Sequence, residues 1–244
     1  MRGMGKLGDL MRGQEESFFD AMASRYDRDF ARPMPLLRAR LEKYARSWGP
    51  GARVLDLGIG TGLELPWLQE HGCTVTGLDF SERMLARCMK RGRDVQLVRA
   101  DVWSAWPVAT QSFDVVLALF GTLAHPPREE EVLIRLAEEV ARALVPGGIF
   151  ISELPTQVWL DAAVLEPGPL SVSALGGGRF RCTGANVAEI DGRVFDEAGW
   201  RRAFGQHFQC EIMTHDAHEI AWMARLTPPK GVTIGRYATS TLVR

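Results

Sequence analysis

The sequence predicts an α/β fold: a doubly wound, mostly parallel sheet with an antiparallel last strand, N-terminal helices and an insertion after the fifth strand. Three observations carry this. Val54-Leu55-Asp56-Leu57 runs straight into Gly58-Ile59-Gly60-Thr61-Gly62, a buried strand delivering the chain into a tight loop. Asp79, 17 residues past Gly62, and then Asp101 close the next two apolar strands. Segments of helical periodicity stand between the strands, and this alternation makes right-handed βαβ units whose strand ends share one edge of the sheet.

The composition narrows the class. With 244 residues, 46% of them hydrophobic and 24% charged, the chain can bury one complete core, so one domain with an insertion is preferred over two. A net charge of −1 provides no basic field for non-specific nucleic-acid binding, and no nucleic-acid partner is expected. Cys73, Cys88, Cys182 and Cys210 are scattered, with no CxxC or Cys/His spacing, which argues against a structural metal or a disulfide framework and for reduced thiols. The opening Met1–Asp9 has no apolar core for a secretory signal, and no run of about 18 apolar residues occurs. The expectation is a cytoplasmic protein without a membrane partner.

In chain order, residues 1–13 hold four glycines and are expected to form a mobile tail, leaving 14–244 as a single domain. Within it, 14–50 read as a helical cap, 51–154 as the cofactor-binding core, 155–195 as a substrate-side insertion and 196–244 as a C-terminal helix, strand pair and tail. Phe18, Phe19, Met22, Tyr26 and Phe30 recur at helical spacing, and Leu36, Leu37, Leu41 and Tyr44 follow a break at Pro33 and Pro35. A helix after the glycine loop reaches about His71 and ends at Gly72. The strand 73–78 then closes on Asp79, and Ser81 caps a helix over 82–91 with Met84 and Leu85 facing inward.

The third strand spans 95–100 and closes on Asp101. The fourth, 113–119, leads into the loop Phe120-Gly121-Thr122-Leu123-Ala124-His125, followed by a helix with an apolar stripe through Val132, Leu136 and Val140. Pro146-Gly147-Gly148 is expected to stop that helix before a fifth strand over 149–154. Strand-like segments at 179–183 and 187–195 flank Asp191-Gly192, which reads as a hairpin turn. Asp196 is placed to cap a short helix through Trp200 and Phe204; 208–214 and 220–226 read as an antiparallel pair, and Val232–Val243 is β-prone but has no evident place.

Glycine admits φ > 0 and close approach of a ligand to the backbone, so the loop after the first strand is a candidate cradle. At its distance from the loop, Asp79 can accept hydrogen bonds from both hydroxyls of a ribose. Asp101 can accept from an exocyclic amine such as adenine N6, with Val102 and Trp103 offering backbone and an apolar face, although Trp103 and Trp106 suit core packing equally well. The spacing Gly58-x-Gly60-x-Gly62 places Leu63 where a dinucleotide fingerprint needs glycine, and no Gly-Lys-Ser/Thr follows.

Taken together, glycine loop, second-strand Asp79, third-strand Asp101, aromatic loop after the fourth strand and Pro-Gly-Gly turn resemble class I S-adenosylmethionine-dependent methyltransferases, over roughly 17–154 in motif and 195–226 in outline. The resemblance implies a Rossmann-like core, S-adenosylmethionine as cofactor and S-adenosylhomocysteine as product. It implies that Asp56 orients the loop and reaches the methionine amino group directly or through water, with Gly58 and Gly60 letting the cofactor lie close. Asp79 would hold the ribose, Phe80 and Met84 lie beside the adenosyl group, Asp101, Val102 and Trp103 meet the adenine, Phe120 pass under the sulfonium, and Tyr26 close over the cofactor. The loop 120–125 is similar to that of sugar N-methyltransferases and glycine N-methyltransferase-like enzymes, which points to a small acceptor.

For catalysis, His125 is the candidate general base, because its ordinary pKa near 6.5 suits proton removal around neutrality. Glu153 is a second candidate, for binding a substrate cation or as base, and Tyr26 a third. Against these stand a helix-opening histidine and a carboxylate in a structural hydrogen bond. Trp159 and Arg179 are expected to wall the acceptor pocket. The expected activity is N- or O-methylation of a small metabolite, such as a natural-product intermediate. A cyclase or isomerase that transfers no methyl group and a non-catalytic binding module stay open, as does assembly into a homodimer.

Overall fold

The computed structural model describes residues 4–30, 34–92, 94–126, 131–166, 168–214 and 219–226. Three helices lead: α1 (Met4–Met22), α2 (Tyr26–Phe30) and α3 (Met34–Ala45). The backbone is thus helical from Met4, where the glycines suggest a tail; once a helix is nucleated, each further residue adds one hydrogen bond, which offsets the roughly 1 kcal/mol that an interior glycine costs.

The core follows as β1 (Arg53–Leu57), α4 (Leu65–Glu70), β2 (Thr74–Asp79), α5 (Glu82–Arg91), β3 (Gln96–Arg99), β4 (Phe113–Ala118), α6 (Val132–Ala143) and β5 (Leu144–Pro155). The insertion comprises α7 (Gln157–Leu165), β6 (Ser171–Gly176), β7 (Arg179–Thr183) and β8 (Ile190–Arg193), and the chain closes with α8 (Glu197–Phe204), β9 (Phe208–Thr214) and β10 (Glu219–Leu226). The main sheet has the order β3-β2-β1-β4-β5-β10-β9. β1 to β5 pair in parallel, and β10 runs antiparallel between β5 and β9. The expected fold class is the one observed.

Successive strand residues point to opposite faces, and the sequence places large apolar side chains on both. Leu55, Leu57, Val116, Phe150 and Trp222 meet α6 and α8 on one face. Val54, Val75, Val115, Ile151 and Met223 meet α3, α4 and α5 on the other. Strands buried on both sides read as continuous apolar runs, which is how they appear in the sequence.

Three local expectations are corrected. Pro146-Gly147-Gly148 lies inside β5 rather than stopping α6: the helix ends at Ala143, and the register slips between Phe113↔Leu144 and Val115↔Ile149, so the glycines form an irregularity in the strand. β7 and β8 do pair antiparallel, but Asp191-Gly192 lies within β8 and the connection between them is 184–189; a further hairpin joins β6 to β7 at the glycines that follow Leu175. Glycine is needed at 192 for packing, since a Cβ there would stand 2.3 Å from Phe180 Cζ. Asp196 does occupy the N-cap position of α8, but its side chain makes no capping hydrogen bond. The β-prone segment 232–243 lies outside the described residues.

Candidate functional site

In a doubly wound sheet, ligands bind beyond the carboxyl ends of the strands where the winding reverses. Here that point lies between β1 and β4, and the segments leaving them are the glycine loop and the Phe120 loop. A cavity of about 470 Å³ opens there. Its lining takes Gly58, Gly60, Asp79, Phe80, Met84 and Trp103 from the parallel core and His125, Trp159 and Phe180 from the Phe120 loop and the insertion. Phe18, Met22 and Ala23 of α1 and its following turn pack with Leu160, Phe180, Cys182 and Ile190 of the insertion, so the N-terminal cap and the insertion together roof the cavity.

The glycine loop is held by what lies under it. Gly58 and Ile59 donate their N–H groups to Leu78 O at 2.6 and 3.1 Å, tying the loop to the end of β2. Gly58 takes φ +64, and a Cβ on it would stand 2.5 Å from Thr122 Cγ2, so the two loops touch at a place where only hydrogen fits. Gly60 also takes a positive φ, +55, but a Cβ on it would meet nothing closer than Gly58 O at 3.8 Å, leaving its α-carbon facing open space.

Asp79 ends β2 in the cavity wall. Its two oxygens accept the N–H groups of Gly60 at 2.9 Å and Ser81 at 2.8 Å. Burial pushes its carboxyl up to about 6, against the downward pull of those backbone donors. The helix cap read at Ser81 is present, its Oγ accepting from Met84 N at 3.1 Å.

Asp56 behaves differently. It is buried beside Glu64, outside the cavity wall, and its carboxyl is raised well above the usual range, first by desolvation and then by Glu64. Asp56 Oδ2 and Glu64 Oε1 have no hydrogen-bond partner among the described residues. Two adjacent carboxyls in a dry setting cannot both ionise cheaply, so the pair braces the two ends of the loop from below. Asp101 also lies outside the cavity lining; its Oδ1 accepts Trp103 N–H at 2.8 Å, a local turn that sets the course of Val102 and Trp103, which do line the cavity. Trp106 belongs to the core, its indole N–H donating to Val102 O at 3.1 Å.

In the Phe120 loop, His125 Nδ1 stands 2.9 Å from the carbonyl oxygen of Asp191. A carbonyl only accepts, so Nδ1 carries the proton and Nε2 is left as the acceptor. Burial lowers the imidazole below its ordinary value, so the ring is neutral at pH 7. Phe19 and Phe180 meet it edge-on at centroid distances of 6.2 and 6.0 Å.

Glu153 is not in the cavity. Oε1 accepts from Tyr44 Oη at 2.7 Å and Arg40 Nη1 at 3.3 Å, while Oε2 accepts from Phe120 N at 3.0 Å. The catalytic expectation for Glu153 is therefore corrected: a buried carboxylate needs partners, and these three occupy it in joining α3 to the Phe120 loop. Arg179 lies outside the cavity lining too and faces Asp191 at 3.9 Å, whereas Trp159 does wall the cavity. Tyr26 lines the cavity, with its ring 5.2 Å from that of Phe30. His71 caps its own helix, its Nδ1 2.9 Å from Trp67 O, and His215 and His218 lie outside the described residues.

Other contributors carry no local signal in the sequence. Asp27 accepts from Thr61 Oγ1 at 2.5 Å and pairs with Arg91, so the cap grips the glycine loop. Asp20 accepts from Ser81 Oγ at 2.5 Å. Glu64 is marked only by its place within the apolar run Leu63-Glu64-Leu65, where a carboxylate is out of character.

Residues 54–148 match the methyltransferase domain family. This core is similar to a methyltransferase domain. Demethylmenaquinone methyltransferase of Beutenbergia cavernae is 34% identical over 145 residues, covering 58% of this chain and 58% of its own. Phosphatidylethanolamine N-methyltransferase of Cereibacter sphaeroides is 34% identical over 128 residues, 50% of this chain and 59% of its own. The chain thus spans less than two thirds of the length of these relatives. The structure of the DhpI–SAH complex superposes with a TM-score of 0.67 over 90% of this chain and 98% of that one, at 22% identity, a likeness of fold. The matched segment of the methyltransferase domain contains every element of the glycine-loop wall. Phe18, Trp159 and Phe180 lie outside it. Among the described residues no helix is long and apolar enough to cross a membrane.

Proposed function

We propose that the chain is an S-adenosylmethionine-dependent methyltransferase that transfers a methyl group to nitrogen or oxygen of a small acceptor. The observation that carries this is the continuity of one cavity from Gly58, Gly60 and Asp79 to His125 and Phe180. The residues suit the cofactor: open space over the Gly60 α-carbon, a buried carboxylate beside it, and the apolar faces of Phe80, Met84 and Trp103 in the same wall.

In this reading Asp79 holds the ribose hydroxyls, Gly58 and Gly60 let the main chain approach the methionine half, and Phe80, Met84, Val102 and Trp103 enclose the adenine. Asp56 acts from beneath the loop, and Asp101 through the turn it sets. When bound, the cofactor supplies a methyl carbon made electrophilic by its sulfonium. The chain then has to align an acceptor lone pair with that carbon and exclude water, tasks suited to the aromatic walls of Phe120 and Tyr26. His125 Nε2 takes the acceptor's proton where one must leave.

Thermal unfolding with S-adenosylhomocysteine tests the reading. At a ligand concentration of 100 Kd, preferential binding to the folded chain contributes about 2.7 kcal/mol, which for a chain of this size raises Tm by roughly 5–11 °C. Such a shift, with labelled methyl recovered on an acceptor, is the expected result. No shift at saturating ligand overturns the reading, and substrate turnover without label transfer replaces it with a cyclase or isomerase.

A further inference from the structure

The part of the cavity lining contributed by α1, the Phe120 loop and the insertion has a one-sided chemistry. Its walls are Phe18, Trp159, Leu170, Val172, Phe180 and Ile190, with Trp159 and Phe180 meeting edge-to-face at 5.0 Å. Among the described residues no lysine or arginine lines it; its carboxylic acids are Asp79, on the cofactor side, and Glu15 and Glu166. Arg181 of the insertion grips the Asp191 carboxylate at 2.6 and 3.1 Å, and Arg25 of the cap meets Asp29 at 3.3 Å. Burial pushes the Cys182 thiol up to about 11, so this wall residue is protonated and behaves as a small apolar group. The polar feature set into these apolar walls is His125, and the Asp191 carbonyl fixes it as an acceptor at Nε2.

An anion entering such a space meets carboxylates and, among the described residues, no cation, and an unpaired charge removed from water is heavily penalised. An ammonium ion would find Glu166, which is exposed to solvent, and Glu15, which is half-buried, so it would be paired against screened carboxylates rather than by a group set into the apolar walls. A flat apolar ring instead finds aromatic edges at van der Waals distance, and a hydroxyl on that ring can donate to the bare Nε2. Resting on the methyltransferase reading above, we propose that the acceptor is an uncharged, hydroxylated aromatic compound, its ring between Phe18, Trp159, Phe180 and Ile190 and its hydroxyl donating to His125 Nε2. The hydroxyl proton passes to Nε2 as the oxygen lone pair forms the new O–C bond and the C–S pair leaves with sulfur. The resulting imidazolium stays hydrogen-bonded to the Asp191 carbonyl until its proton is released to water.

Binding tests this without turnover. The full chain, saturated with S-adenosylhomocysteine, is titrated by calorimetry with 2-naphthol, 2-naphthoate and 2-methoxynaphthalene, which share a ring and differ in charge and in the donor. The expected order has 2-naphthol tightest, 2-methoxynaphthalene weaker by about fivefold for want of the donated hydrogen bond, and 2-naphthoate weaker by at least about tenfold. In His125→Phe, S-adenosylhomocysteine affinity is retained and the preference for 2-naphthol over its methyl ether disappears. Naphthoate binding as tightly as naphthol, or no naphthol binding to a chain that still binds S-adenosylhomocysteine, overturns this inference and leaves the methyltransferase reading standing. Failure to bind S-adenosylhomocysteine removes both.

Discussion

Lowering the pH from 7 to 5 should weaken S-adenosylhomocysteine binding about tenfold, through Asp79. Its carboxyl, pushed up to about 6 by burial, accepts two backbone N–H groups and has to be ionised to accept the ribose hydroxyls as well. With a midpoint of about 6, roughly nine-tenths of it is ionised at pH 7 and roughly one-tenth at pH 5, a difference of about 1.4 kcal/mol in binding. Isothermal titration at pH 5, 6 and 7 measures it. His125 also titrates, lowered from 6.5 by burial, so the series is repeated in His125→Gln, which should keep the slope. Asp79→Asn should bind weakly and without the slope. A slope that survives in Asp79→Asn, or that vanishes in His125→Gln, would refute the assignment.

Three further outcomes follow from the same geometry. The folded value of Asp79 lies above its ordinary 3.8, so its contribution to the ligand-free chain is complete below pH 3.8 and lost as pH rises through about 6; that loss is about 3 kcal/mol, read as a falling urea midpoint that Asp79→Ala flattens. Gly58→Ala forces a left-handed φ worth roughly 1–2 kcal/mol on a side chain and drives its Cβ into Thr122; it should cost more than tenfold in S-adenosylhomocysteine affinity, whereas Gly176→Ala, with a similar φ and nothing within 4 Å, should leave affinity unchanged. Glu153→Gln leaves Arg40 and Tyr44 without their shared carboxylate and should cost about 2–3 kcal/mol in chemical denaturation; lost turnover at unchanged stability would instead restore a catalytic role.

How much of this was legible depends on whether the relevant partner is local. Gly58, Asp79 and Ser81 announce themselves because strand, turn and cap chemistry act within a few residues, and the alternation of strands and helices determined the sheet. Glu153 reads from sequence as a strand-end carboxylate at a ligand-binding edge, which it is; its partners stand 109 and 113 residues earlier, and no local pattern points to them. Asp191-Gly192 has the composition of a hairpin turn, yet the glycine answers to the Phe180 ring on the neighbouring strand. Asp56 and Asp101 sit at the expected strand ends, but their side chains turn toward Glu64 and the Trp103 amide rather than into the cavity, a choice of rotamer and loop course that spacing does not encode. The part of the cavity around His125 was the least legible, because it forms where α1, the Phe120 loop and the insertion converge.

The most direct measurement is a crystal structure of the chain with S-adenosylhomocysteine bound. The account predicts ribose hydroxyls within hydrogen-bonding distance of Asp79, adenine against Phe80 and Trp103, and the sulfur directed toward the compartment of His125 and Phe180. A ligand seated away from the Gly58–Gly60 loop, or with its sulfur turned from His125, would contradict it.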